Sequence, residues 1–339
     1  MEYRSLGRTG TKVSMLCLGC LMFGRRTEEP EAMDMVNLAI DAGINFFDTA
    51  NMYSRGVSEE MVGTALKRNG KRSRIVLATK VHFPMDDEDP NARGNSRRHI
   101  IEQCEASLRR LQTDYIDLYQ IHRPCPDIPI DETLRALDDL IRAGKVRYIG
   151  CSTFAAWQVV ESLWVSEELR LNRFICEQPP YHLLDRSIER ELVPMAQTYG
   201  LAMIPWAPLA GGFLTGKYRR DQPPPANSRY RDDNNFALLS SEAAFNVLDV
   251  VSAIAAEKGC TPSQVALAWC AQQPGITSPI IGPRSMEQLQ DNLEAVSVSV
   301  TDADRARLDK VAPPGRSTSY GTVISYEYHQ SGFGPHTYR

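Results

Sequence analysis

The chain has 339 residues and a net charge of −4, with 42% hydrophobic and 24% charged residues. This is an ordinary globular composition, and it offers no basic surface for nucleic acid or anionic lipid. The N-terminus, Met1-Glu2-Tyr3-Arg4-Ser5, has no apolar core of signal-peptide length and no run of about 18 apolar residues follows, so a cytoplasmic protein outside any membrane is expected.

α/β barrels commonly occupy about 250 residues or more as one unit, so one domain is expected. Disulfide frameworks belong to short secreted chains, and the eight cysteines (Cys17, Cys20, Cys104, Cys125, Cys151, Cys176, Cys260, Cys270) read better as reduced thiols. Cys17-Leu18-Gly19-Cys20 has redox or metal spacing, yet it lies in an apolar strand and no second Cys-x-x-Cys completes a zinc site. His82, His99, His182, His329 and His336 show no paired ligand spacing, so no metal is expected.

In chain order, 1–13 turns at Gly7 and Gly10 and reads as a short hairpin. Residues 15–19 then read as strand and 30–42 as helix, with Pro30 at an early helical position and Gly43 after the end. The alternation recurs with strand 44–48 and helix 58–68, where Ser58 is the expected N-cap, and with strand 75–80 and helix 96–111, again opening on a serine. It continues through strand 115–122 and helix 131–142, strand 146–150 and helix 154–168, and strand 174–178 and helix 187–199. Strand 201–207 is followed by a long polar loop, with Pro223-Pro224-Pro225 in it, and helix 241–258; strand 276–281 leads to helix 285–295. Alternating strands and helices imply parallel strands with right-handed crossovers, and eight such units over 14–296 close into a (β/α)8 TIM barrel. An open doubly wound sheet would need a Gly-x-Gly-x-x-Gly turn for a dinucleotide, and the sequence has none. Residues 297–339 are expected to form a C-terminal helix and a tail over the barrel mouth. Tyr320, Tyr326, Tyr328, Phe333 and Tyr338 make this segment more aromatic than the chain's 8%, unlike a solvated disordered tail.

Three strands end in polar residues. Ile44-Asn45-Phe46-Phe47 runs into Asp48, with Tyr53 five residues on; Ile75-Val76-Leu77-Ala78-Thr79 ends in Lys80, and Tyr115-Ile116-Asp117-Leu118-Tyr119-Gln120-Ile121 in His122. Barrel enzymes place their sites at the C-terminal ends of strands, and an acid behind Phe46-Phe47 requires a cation. Asp, Tyr, Lys and His in this pattern form the catalytic tetrad of the aldo-keto reductases, and the sequence resembles that family from about residue 3 to residue 292. The resemblance implies a barrel plugged at the bottom by the hairpin, and reversible NADPH-dependent reduction of an aldehyde or ketone to an alcohol. The residue types suit the same chemistry. Hydride addition to a carbonyl leaves an alkoxide, which Tyr53 would protonate with its pKa pulled below the free value of about 10 by Lys80; Asp48 would orient Lys80, and His122 would hydrogen-bond the substrate oxygen. Singly these are a structural ion pair, a rim tyrosine and a core imidazole; together they satisfy the geometric checklist for an active site.

Cofactor contacts are expected from the later strand ends. Ser152 and Gln178 can hydrogen-bond a nicotinamide carboxamide, as the resemblance implies, with Thr153 standing where the family pattern has Asn. Trp206 offers a flat face for the nicotinamide ring. Pro208-Leu209-Ala210-Gly211-Gly212-Phe213-Leu214-Thr215-Gly216-Lys217-Tyr218 nearly spells a P-loop, but Tyr218 replaces the magnesium-ligating hydroxyl. In the family a segment of this kind folds over the pyrophosphate with its lysine close by. Gly282-Pro283-Arg284-Ser285 combines a glycine bend with a helix start, an anion site from which Arg284 and Gln288 can reach a 2′-phosphate, favouring NADPH over NADH. Asp291 and Asn292 match family positions that hold adenine. The expected partner is a small-molecule carbonyl substrate, such as a bulky cyclic ketone or keto-sugar, in a monomer or homo-oligomer. Some relatives in the family serve as cytosolic channel subunits, so the alternative is a non-catalytic NADPH-binding regulatory subunit.

Overall fold

Short apolar runs pair into one parallel sheet in the computed structural model, which describes residues 1–226, 228–231, 236 and 240–318. The strands are β3 (Cys17–Gly19), β4 (Phe46–Asp48), β5 (Val76–Val81), β6 (Ile116–Ile121), β7 (Val146–Ser152), β8 (Phe174–Gln178), β9 (Ala202–Met203) and β10 (Ile280–Ile281). Their order is β10-β3-β4-β5-β6-β7-β8-β9. The two ends of this row meet: Met203 bridges Ile276 in parallel, Thr277 N–H donates to Met203 O at 2.8 Å, and Ile280 N–H donates to Pro205 O at 2.8 Å. The sheet is therefore a closed eight-stranded barrel without edge strands. Ahead of it, β1 (Tyr3–Ser5) and β2 (Lys12–Ser14) form an antiparallel hairpin.

Period-two alternation divides the strand residues between two cores, except on β8, where the consecutive Ile175 and Cys176 both join the inner one beside a register irregularity with β7. Cys17, Phe46, Val76, Ala78, Leu118, Ile175, Cys176, Ala202, Ile204 and Ile280 fill the barrel, and Leu6 and Val13 of the hairpin join them as its floor. Leu18, Phe47, Leu77, Tyr119 and Ile121 point the other way, into the shell of helices. Gly7, at φ +59°, lies against the carbonyls of Ile175 and Gly200, where a Cβ would stand 2.6 and 2.9 Å from the oxygens. All eight cysteines are free thiols, with Cys17 of β3 buried in the barrel core and Cys20, one residue past that strand, buried in the helix-side core.

The helices are α1 (Glu29–Asp41), α2 (Val57–Arg68), α3 (Arg97–Leu111), α4 (Ile130–Arg142), α5 (Ala156–Glu168), α6 (Leu192–Tyr199), α7 (Glu242–Lys258), α8 (Pro262–Ala271), α9 (Met286–Leu293) and α10 (Asp302–Val311). Ser96, Ser241 and Ser285 cap α3, α7 and α9 with their side chains. Ser58 does not cap α2. That helix starts one residue earlier, behind Gly56 at φ 100°, and the Ser58 hydroxyl turns inward to donate to Cys20 O at 2.8 Å. The helix expected over 187–199 is broken into a 3-10 turn, Ser187–Glu189, and α6, because Pro194 has no N–H and its ring clashes with a helical carbonyl four residues back. The loop after β9 opens as a 3-10 turn, Ala210–Thr215, with Gly211 and Gly212 at positive φ. Helix α8 has no counterpart in the sequence reading. The expected tail over 320–339 lies outside the described residues. Among those described, no helix is long and apolar enough to cross a membrane.

Helices α2 and α3 pack backbone to backbone at Gly63, where a Cβ would lie 2.5 Å from the Leu111 carbonyl carbon and 2.7 Å from Arg110 O. Alanine is the better helix former by about 1 kcal/mol, so only packing keeps glycine there. Gly63→Ala is expected to destabilise the fold by about 1–3 kcal/mol in urea denaturation, against the helix-propensity trend.

Candidate active site

Strand alternation aims the strand-end residues into one place. Above the barrel layer of Phe46, Ala78 and Leu118, the same inward rows continue to Asp48, Lys80 and Gln120, and two residues later to His122. Lys80 is fully buried, and each of its three protons has an acceptor: Asp48 Oδ2 at 2.5 Å, the Thr49 carbonyl at 2.9 Å and the Tyr53 hydroxyl at 3.1 Å. Asp48 Oδ1 accepts from Gln120 Nε2 at 3.1 Å and Gln178 Nε2 at 2.9 Å. Burial alone would pull the Lys80 pKa down, but the Asp48 charge, with Tyr53 behind it, holds it above its ordinary value.

Tyr53 is carried by the 3-10 turn Tyr53–Gly56, which follows β4. Its N–H donates to Ala50 O, and Asn51 N–H donates to Lys80 O, so the turn is pinned to the end of β5. The Tyr53 and His122 rings meet edge-on with centroids 5.8 Å apart, and Phe83 packs edge-on against His122 at 4.9 Å. The expectation that Lys80 would pull Tyr53 below its free pKa is reversed. Burial raises the phenol first, Lys80 and Arg123 oppose it, and the net direction is upward. Tyr53 is thus held as the neutral phenol, the form that can give a proton. Burial, then Lys80 and Arg123, push His122 well below its ordinary pKa, so it is a neutral imidazole, and its Nδ1 is buried without a partner among the described residues.

The residues expected to hold a cofactor line the strand ends beyond this cluster. Ser152 Oγ donates to Gln178 O at 2.8 Å, while Gln178 Nε2 is committed to Asp48 and to Gln120 Oε1 (3.1 Å), which leaves Gln178 Oε1 for a ligand. Trp206 is partly exposed, and its Nε1 has no partner among the described residues. Thr153 and Ala207, each next to one of these residues, take φ of 62° and 56°, backbone that costs roughly 1–3 kcal/mol outside glycine and persists where the surroundings hold it. Lys217 lies across Gly212, with Nζ 2.9 Å from where a Cβ would be. Burial and the charges of Arg284 and Arg26 lower its pKa, so three cations converge there. Gly282 is exposed with nothing within 4 Å of a Cβ, leaving room for a ligand's close approach. The start of α9 is less open than expected: Glu31 Oε1 accepts from Met286 N–H, and Gln288 Oε1 accepts from Arg284 N–H. Asp291 Oδ1 accepts from Thr261 Oγ1 and Gln264 Nε2 at the cap of α8, and Asn292 is buried beside it. Pro208 is buried and Leu209 partly so. An ammonium with no acidic partner among the described residues, an open glycine, a flat indole and a hydroxyl, all beyond the strand ends, fit a dinucleotide.

Residues 15–313 match the Aldo/keto reductase family. The chain belongs to that family. It is 41% identical over 327 residues to an uncharacterised oxidoreductase of Bacillus subtilis, YrpG, covering 94% of this chain and 98% of that protein. It is 36% identical over 341 residues to the versiconal hemiacetal acetate reductase of Aspergillus parasiticus (93% and 98% covered), and 39% identical over 304 residues to a probable voltage-gated potassium channel subunit beta of Arabidopsis thaliana (88% and 92% covered). An aldo/keto reductase is an oxidoreductase that acts on carbonyl groups with a nicotinamide dinucleotide.

Four residues of this aldo/keto reductase site escaped the sequence reading. Gln120 shares the inward row of β6 with His122, and a polar residue inside an apolar strand was its signal. Arg26 lies in a loop whose Thr27 hydroxyl donates to Arg284 O at 2.9 Å. Arg123 follows His122 directly. Glu177 is the outward neighbour of Gln178; its Oε1 accepts from Phe154 N–H at 3.1 Å, and its Oε2 is buried without a partner among the described residues.

Burial pushes Glu177 up to about 7 from an ordinary value of 4.5, against the hydrogen bonds and the Arg123 charge that favour the anion. A folded-state pKa above the unfolded one leaves stability intact below about pH 4.5 and removes it as the pH rises through about 7. Glu177→Gln, which keeps the acceptor for Phe154, is expected to gain stability over the wild type between pH 5 and pH 9. The gain is at most about 3 kcal/mol, read from denaturation midpoints at the two pH values.

Proposed function

We propose that this aldo/keto reductase uses NADPH to reduce an aldehyde or ketone to the alcohol, reversibly, with Tyr53 as proton donor. The observation that carries the reading is the Lys80 ammonium, which bridges the Asp48 carboxylate and the Tyr53 hydroxyl at 2.5 and 3.1 Å. When bound, the dinucleotide supplies the hydride that adds to the carbonyl carbon. Tyr53 gives its phenolic proton to the carbonyl oxygen, and Lys80 stabilises the phenolate that remains. Asp48 keeps Lys80 charged, and the two glutamines keep Asp48 from turning away. His122, as a neutral imidazole, hydrogen-bonds the same oxygen and orients it toward Tyr53. Ser152 and Gln178 suit the nicotinamide carboxamide and Trp206 the nicotinamide ring, with Pro208 and Leu209 beneath. Lys217, Arg284 and Gln288 suit the phosphates, and Asp291 and Asn292 the adenine. Convergence of Lys217, Arg284 and Arg26 supports NADPH over NADH, because a 2′-phosphate adds negative charge where three cations gather. Eight free thiols suit a reducing compartment such as the cytoplasm.

The similarity to a probable channel subunit favours a second reading, a regulatory subunit that binds NADPH without turning over substrate. Turnover separates the two. Tyr53→Phe is expected to lower kcat on the best carbonyl substrate by about a hundredfold or more while NADPH affinity stays near the wild-type value. NADPH binding with no oxidation across aldehydes, cyclic ketones and keto-sugars would favour the regulatory reading. Arg284→Ala is expected to weaken NADPH by about ten- to a hundredfold in fluorescence titration and to leave NADH nearly unchanged. Equal losses for both cofactors would remove the 2′-phosphate role.

A further inference from the structure

One cation at the barrel mouth is left unused by this chemistry. Arg123 is partly buried, and its guanidinium carbon lies 5.9 Å from the ring centroids of both Phe83 and Trp206. Nη1 donates to His122 O and to Thr153 Oγ1, each at 2.8 Å, so the plane of the fork is fixed between the strand end that carries the imidazole and the one that carries Ser152. Nε and Nη2 make no hydrogen bond to the described residues, and that pair forms the side edge of a guanidinium, which matches the two oxygens of a carboxylate. Glu177, the acid whose charge reaches Arg123, faces the outer side of β8 and holds Phe154 N–H instead. Among the described residues around Tyr53 the other charges are matched: Lys80 pairs with Asp48, and Tyr53 and His122 are neutral. A desolvated cation with no ion-pair partner among the described residues is costly, and a substrate anion would relieve that cost.

We propose that Arg123 selects carbonyl compounds that carry a carboxylate, gripping the anion with its Nε and Nη2 edge while the carbonyl oxygen lies against Tyr53 and His122. This rests on the reductase reading and adds the substrate class to it. The aromatic faces of Phe83 and Trp206 give such a substrate an apolar passage between its two polar ends.

The test compares 3- and 4-formylbenzoate with the corresponding formylbenzamides, neutral molecules of nearly the same shape, as substrates with NADPH. The wild type is expected to prefer at least one carboxylate isomer by about tenfold or more in kcat/KM, mainly through KM. Arg123→Met should bring that ratio close to one, and Arg123→Lys, which keeps the charge and loses the fork, should retain part of it. A wild-type ratio near one for both isomers, a ratio unchanged by Arg123→Met, or a variant that loses NADPH affinity in place of the preference would each overturn the proposal. If the wild type binds NADPH and turns over none of these aldehydes and none of the cyclic ketones and keto-sugars, the reductase reading fails separately. Calorimetric titration of the formylbenzoates into the NADP+-saturated protein then decides the anion site. Binding abolished by Arg123→Met supports it, and absence of binding to the wild type overturns it.

Discussion

The ion pair between Lys80 and Asp48 is the constraint around which the upper end of the barrel is arranged. Two charges out of contact with water are expensive to bury, and their attraction offsets that expense only when the remaining protons and lone pairs are also met. Here each requirement recruits a different strand. Lys80 comes from β5 and Asp48 from β4, the Thr49 carbonyl fixes the chain as it leaves β4, and Gln120 and Gln178 reach in from β6 and β8. Removing either charged partner would strand the other in a closed interior, so the pair also dictates what its neighbours can be. Tyr53 completes the set as the only one of the three acceptor residues that is not buried.

The barrel makes this arrangement possible because its strands separate two environments one residue apart. Cys176 and Gln178 face inward while Glu177, between them, faces the helix layer; Thr79 does the same between Ala78 and Lys80, donating its hydroxyl to Glu59 at 2.6 Å. Polar groups on the outer face tie strands to helices and loops, and polar groups on the inner face carry the proposed chemistry. The left-handed backbone at Thr153 and Ala207 then turns the chain sharply after β7 and β9, so that Ser152 and Trp206 are presented at the rim.

Much of this was legible in the sequence, for local reasons. Phe46-Phe47-Asp48, the run into Lys80 and the run into His122 each combine a strand pattern with a terminal polar residue, and the period of two fixes which face the residue takes. What was not legible depended on distant partners. Whether Tyr53 is raised or lowered turns on how far burial outweighs Lys80, which no spacing encodes. Ser58 looked like a cap because caps are local, yet a backbone carbonyl at Cys20 claims its hydroxyl. Helix α8 is buried on every side from Ser263 to Ala271, so it has no amphipathic stripe to read, although Thr261, Pro262 and Gln264 spell its capping box. Arg123 lies one residue beyond a strand end, where periodicity stops and side-chain direction is set by the loop.

The barrel is sewn shut by its two shortest strands. Between β9 and β10 the ladder is reduced to a single bridge and a few hydrogen bonds, among them Thr277 N–H to Met203 O and Ile280 N–H to Pro205 O, whereas β5, β6 and β7 pair over four or more residues. Trp206 and Lys217 follow one side of that seam, and Gly282 and Arg284 follow the other. A dinucleotide held by both sides would act as a clasp across the weakest join in the cylinder. Its binding energy would then enter the mechanical integrity of the fold as well as the chemistry, and the barrel emptied of it would be expected to breathe along this line before any other.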